Sequence, residues 1–157
     1  MKVFEETGTA PVPLRHPSRQ AYRLQELERI AKRNALPITM KPVHWPTNPV
    51  PAMVEIIAAQ SAGGGDMGRL SFALLRACWA EDKDIAQEDV IGVCLKEAGF
   101  NPEIGTMALL TGADVIERNT NEALERNVFG APSYVVGDQV FWGQDRLAYL
   151  DDHLESL

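Results

Sequence analysis

The stretch "NVFGAPSYVVGDQVFWGQDRL", Asn127–Leu147, decides the fold. Within it "PSYVV" and "QVFW" are two β-rich runs separated by Gly137-Asp138, the pattern of a hairpin closed by a two-residue turn. Pro132 stands at the mouth of the first run, where it cannot donate to a ladder, so it marks the strand's start or a cis bond. From about Asp145 to Leu154 the period returns to helical, with Leu147, Leu150 and Leu154 on one face. A two-stranded hairpin alone is marginal in water. Either helices cover it, or another chain supplies strands, or the polypeptide begins late.

Outward from the hairpin, the sequence reads as helix. "PSRQAYRLQELERIAKRN" has Leu24, Leu27, Ile30 and Ala31 on one face, with Ser18 a candidate cap after Pro17. "LPITMKPVHWPTNPVP" is a proline-broken connector in which Ile38 to Met40 is the best candidate for a short strand. Pro51 suits the first turn of the next helix, Gly63-Gly64-Gly65 ends it, and Asp66 can cap the one after. In "MGRLSFALLRACWAEDK" Leu70, Leu74 and Cys78 lie on one face and Phe72, Leu75 and Trp79 on another, which predicts burial on several sides. "QEDVIGVCLKEAGF" closes at Gly99, "NPEIGTMALL" restarts on an Asn-Pro signal, and "GADVIERNTNEALERN" runs to Asn127. The first seventeen residues are Pro-rich and unpatterned.

Composition narrows the classes of function. A chain of 157 residues with 45% hydrophobic content fits one domain with a core, and a net charge of -7 without a basic stripe argues against nucleic acid. Cys78 and Cys94 are too few and too far apart for a disulfide framework or a CxxC pair, and they read as buried structural thiols. His16, His44 and His153 lack metal-ligand spacing. Neither a signal peptide nor a membrane-spanning run is visible, so a cytoplasmic protein is the default expectation.

The paired motifs "FGAP" and "FWGQDR", with "GTAPVP", "KPVHWPTN" and "RACWAEDKDIAQEDVI" in the same order before them, resemble the 2-hydroxychromene-2-carboxylate isomerases and kappa-class glutathione transferases. These form a DsbA-like branch of the thioredoxin superfamily. The resemblance implies an α/β, thioredoxin-like fold over residues 1–157, with a helical insertion at about 48–127 and a C-terminal half of the thioredoxin fold at 128–157. It implies glutathione as cofactor: Ala131 would pair its backbone with the glutathione cysteine before a cis Pro132. Trp142, Gly143, Gln144 and Asp145 would receive the γ-glutamyl end at the start of the last helix. Asp145 also reads as a plain N-cap of that helix. Trp45 falls in the family's substrate pocket, and Arg15 and Arg19 where polar groups face substrate or cofactor. A small aromatic-derived substrate, a homodimer and a role in aromatic catabolism are implied too.

Measured against that family the chain reads as N-terminally truncated. The opening strand ending in Phe-Ser-Pro-Tyr, whose serine favours the glutathione thiolate, is absent, and Ser18, Ser61, Ser71 and Ser133 occupy other places. No catalytic residue is therefore assigned. A full protein would be the isomerase or, alternatively, a kappa-type transferase. A short one would keep half the site, as an inactive relative or a non-catalytic glutathione-binding or assembly module.

Overall fold

The computed structural model describes residues 2–107 and 109–157. They fall into two compact units, Pro17–Ile116 and a second one built from Met1–His16 with Glu117–Leu157.

The larger unit is helical. It contains α2 (Pro17–Arg33), α3 (Val50–Ala62), α4 (Met67–Trp79), α5 (Glu88–Glu97), a 3-10 turn over Ile104–Met107 and the start of α6 (Leu109–Glu125). The punctuation residues explain the boundaries. Pro51 lies in the first turn of α3, and Gly63 ends that helix with φ 67, a conformation open to glycine. The Asp66 carboxylate accepts from the Arg69 N–H at 3.0 Å, capping α4. The helix α2 begins at Pro17 itself, one residue before the expected Ser18 cap, because a proline's fixed φ and missing N–H suit a first helical position.

Helices α3, α4 and α5 close around Ala59, Leu70, Ala73, Leu74, Ile91, Cys94 and Leu95, with Phe100 packed over one end. Alanines on α3 and α4 let the helices approach, while Leu70, Ile91 and Leu95 fill the space between. Each such side chain contributes about 1.5–3 kcal/mol by leaving water. Burial of α4 on several sides is observed only in part: Leu70, Leu74 and Cys78 are buried and Trp79 is half-buried, but Phe72 and Leu75 are exposed. On the second face only its end is covered, where Trp45 and Arg23 pack on Trp79, while Arg76 lies across the Phe72 ring, 5.9 Å from its centroid.

The connector from 34 to 49 forms no strand. Ile38 to Met40 find no ladder partner among the described residues, and Pro37, Pro42 and Pro46 remove donors on both sides. Instead the Thr39 N–H donates to the carbonyl of Trp79 at 2.5 Å. "NPEIGTMALL" opens as a turn, with the Asn101 side chain accepting from the Glu103 N–H at 3.1 Å, before the 3-10 turn. Ala108, inside the helix expected there, lies outside the described residues.

The smaller unit holds α1 (Lys2–Glu6), a 3-10 turn at Val12–Leu14, the end of α6, strands β1 (Ser133–Val136) and β2 (Gln139–Trp142), and α7 (Leu147–Glu155). The amino-terminal segment is thus partly helical rather than unpatterned, and Lys2 Nζ donates to Asn121 Oδ1 at 3.2 Å. The strands pair antiparallel with Ser133 opposite Trp142 and Val136 opposite Gln139, so Gly137-Asp138 forms the expected two-residue turn. Against β2 lies α7, with the rings of Phe141 and His153 5.4 Å apart. No described residue of this unit is buried, and Trp142, Leu147, Tyr149 and Leu154 are exposed. The hairpin therefore has helix packing but no core of its own.

Candidate functional site

The two motifs that flank the hairpin meet. Register places Ser133 beside Trp142, and one residue further out the Gly143 N–H donates to the Pro132 carbonyl at 2.9 Å. The Ala131–Pro132 peptide bond is cis. The Ser133 hydroxyl donates to the Gly130 carbonyl at 2.7 Å and closes the loop that carries Ala131. The ring of Phe129 meets Trp142 edge-on at 5.1 Å. Gly130 lies against the indole, and a Cβ there would run into Nε1, with Cδ1 and Cε2 3.0 Å away.

These contacts settle which polar groups are in use and which face outward. Among the described residues, the N–H and C=O of Ala131 have no hydrogen-bond partner, and the residue is exposed. On the far side, Gly143 at φ 107 starts a turn closed by the Arg146 N–H on the Gly143 carbonyl at 3.2 Å. Gln144 and Asp145 are at its tip, exposed, and the Asp145 carboxylate pairs with the guanidinium of Arg146. Asp145 is not the N-cap of α7. Arg146 takes that position without a side-chain cap, because the turn from Gly143 uses one more residue before the helix starts. Among the described residues, the first N–H groups of α7 accordingly have no side-chain cap.

The remaining expected residues are placed elsewhere. In the smaller unit, Arg15 Nε donates to the Ala10 carbonyl at 2.9 Å. Arg19 is exposed on α2. Trp45 belongs to the helical unit, where its ring stands 5.4 Å from that of Trp79. The hydroxyls of Ser61 and Ser71 donate to the carbonyls one turn back, at 3.0 and 2.9 Å, so neither is poised as a nucleophile or thiol partner. Cys78 and Cys94 are buried and reduced, and desolvation pushes both thiols up. No group of metal-ligating side chains occurs among the described residues, and none of their helices is long and apolar enough to cross a membrane.

Three residues escaped the sequence reading. Arg23 lies over Trp45 and Trp79, 5.0 and 5.6 Å from the ring centroids. Asp84 accepts from Thr47 Oγ1 at 2.8 Å, from the Ala86 N–H at 3.0 Å and from Gln87 Nε2 at 2.9 Å, and these bonds lower its pKa to about 2. Glu55, on α3, has a buried Oε2 without a partner among the described residues, while the Gly105 N–H donates to its carboxylate. Burial first and the Glu88 charge second push the Glu55 carboxyl up.

For Glu55 the folded chain holds the proton more tightly than the unfolded one. Stability therefore falls as pH rises from the ordinary value of 4.5 through the raised one. Glu55→Gln, which carries no charge at any pH, should flatten that fall and leave the variant more stable than the parent at pH 7. Urea midpoints taken from pH 4 to 8 check this; parallel curves for the two proteins would show that Glu55 titrates normally.

The family model for the DSBA-like thioredoxin domain matches residues 1–155. The chain belongs to the DSBA-like thioredoxin domain family. A 2-hydroxychromene-2-carboxylate isomerase of Sphingobium xenophagum is 25% identical over 133 residues, covering 83% of this chain and 66% of that relative. One of Pseudomonas putida is 42% identical over 41 residues, 26% of this chain and 20% of its own. A solved 2-hydroxychromene-2-carboxylate isomerase superposes with a TM-score of 0.73 at 20% identity, over 99% of this chain and 75% of that one. The chain spans about two thirds of the length of the Sphingobium relative. The DsbA-like thioredoxin fold is thereby established, here in a mostly helical form with a short hairpin and a final helix.

Proposed function

We propose that this DsbA-like protein is a glutathione-dependent isomerase of the 2-hydroxychromene-2-carboxylate type. The observation that carries the reading is the outward-facing, unpaired backbone of Ala131, joined through the Gly143–Pro132 hydrogen bond to the turn that presents Asp145. An extended peptide can add to such a backbone with main-chain hydrogen bonds alone. The tripeptide fits these residues. The Ala131 N–H and C=O match the main chain of its cysteine, and Gly143 lets the chain approach closely. Asp145 accepts from an α-amino group, while the uncapped N–H groups of α7 favour a carboxylate.

When bound, glutathione supplies a thiol that adds to a conjugated system and leaves again, so that a carbon–carbon bond can rotate in between without net redox change. The chain's own part is to hold the tripeptide at Ala131 and at Gly143–Asp145. Neither Cys78 nor Cys94 competes as nucleophile, since both thiols are buried and pushed up. That the Sphingobium relative named for this activity resembles the chain over 83% of its length supports the reading.

Asp145→Ala should weaken glutathione about tenfold, the cost of one charge-assisted hydrogen bond. Calorimetry with glutathione and with Cys-Gly, which lacks the γ-glutamyl group, measures it. The variant should lose preference for the longer peptide, and an unchanged ratio would remove Asp145 from the site. Conversion of 2-hydroxychromene-2-carboxylate, followed with and without glutathione, tests the activity itself.

A further inference from the structure

Arg23, Trp45 and Trp79 come from α2, the connector and the last position of α4, yet they form one cluster in the helical unit. The guanidinium carbon is 5.0 Å from one ring centroid and 5.6 Å from the other, and the rings are 5.4 Å from each other at 48°. These distances make a nearly equilateral triangle. In a sandwich the two indoles would stand roughly twice the cation–ring distance apart. Here the cation fills the notch between two tilted rings, and all three side chains are half-buried, so the cluster reaches the surface.

The connector that brings Trp45 is fastened on both sides. Thr39 donates to the Trp79 carbonyl, the Val43 N–H to Asp82 Oδ1 at 2.7 Å, and Thr47 Oγ1 to Asp84 Oδ1 at 2.8 Å. Trp45 is therefore held in place before any ligand arrives, which lowers the cost of binding. A guanidinium resting on aromatic faces still directs its five N–H donors outward in its own plane, a fork that matches a carboxylate. Five donors can serve the protein and an incoming carboxylate together. Next to that fork, the indoles offer aromatic surface for a flat ring.

We propose that Arg23, Trp45 and Trp79 form a recognition site for an aromatic or conjugated carboxylate, with Arg23 taking the carboxylate and the indoles the ring. The choice of substrate class rests on the isomerase reading above; the cluster's geometry does not. In this scheme Arg23 sets the preference for a carboxylate, and Trp79 joins Trp45 in holding the ring.

The test is calorimetry of the full chain with 2-hydroxybenzoate and with the neutral 2-hydroxybenzamide, alongside the indole N–H signals of Trp45 and Trp79 by NMR. The parent should prefer the carboxylate and shift both signals. Arg23→Gln should weaken the carboxylate about tenfold and leave the amide unchanged. Arg23→Lys, which keeps the charge but not the fork, should lose about threefold and stands in if the glutamine variant does not fold. No binding of 2-hydroxybenzoate to the parent at millimolar concentration, or parental affinity in the variants, overturns the proposal. Glutathione titrated into the same samples separates the two readings. Carboxylate binding without glutathione binding sinks the isomerase reading alone, and the reverse sinks this one alone.

Discussion

Leu70→Ala should destabilise the protein by about 3–4 kcal/mol, while Leu75→Ala on the same helix should change stability by less than about 0.5 kcal/mol. The two leucines are chemically identical and five residues apart. Leu70 is fully buried at 0% exposure between α3 and α5, whereas Leu75 is 61% exposed. Truncating Leu70 removes its transfer free energy and leaves a cavity that the close-packed alanines around it cannot fill. At Leu75 there is little packing to lose. For a chain of this size the first change should lower the melting temperature by roughly 10 °C. Equal shifts for the two variants would mean that α4 is buried on both faces, and the assignment of its core face would fall.

That contrast bears on what the sequence could tell. Helix ends were legible where one residue acts through its own backbone or a near neighbour, as at Pro51, Gly63 and Asp66. The hairpin was legible for the same reason, since Gly137-Asp138 imposes its turn locally. Which apolar face of α4 is buried was not, because Phe72 and Leu70 look alike until the neighbouring helices are in place. The strand expected at Ile38 to Met40 failed because a strand needs a partner, and among the described residues the main-chain group that reaches this segment belongs to the end of α4.

The candidate sites divide along the same line. Ala131, Pro132 and Gly143 to Asp145 lie within one hairpin, so their proximity followed from register, although the extra turn that moves Asp145 off the helix cap did not. Arg23, Trp45 and Trp79 are separated by a proline-broken connector whose path no local pattern specifies. Glu55 was hidden more deeply. Its carboxyl is perturbed by burial first and by Glu88 on α5 second, neither of which a local pattern specifies.

Gly130→Val should lower glutathione affinity by about thirtyfold or more while costing only about 1–2 kcal/mol of stability. A side chain at Gly130 must displace the Trp142 indole, which occupies the space its Cβ would take. Because Trp142 is 52% exposed, the ring can swing into solvent, and the fold survives with the loss of the edge-on Phe129 contact, worth about 0.5–1.5 kcal/mol. Binding has no such escape. Gly130 precedes Ala131, Trp142 precedes Gly143, and the Gly143–Pro132 hydrogen bond sets the separation between the two halves of the proposed tripeptide site. Adding Trp142→Ala to Gly130→Val removes the ring that the new side chain strikes, so the double variant should regain part of the lost affinity. Such a recovery is a coupling that two independent losses cannot produce. Losses that simply add would show that the indole does not transmit the effect of Gly130, and that the loop before Pro132 acts on binding by another route.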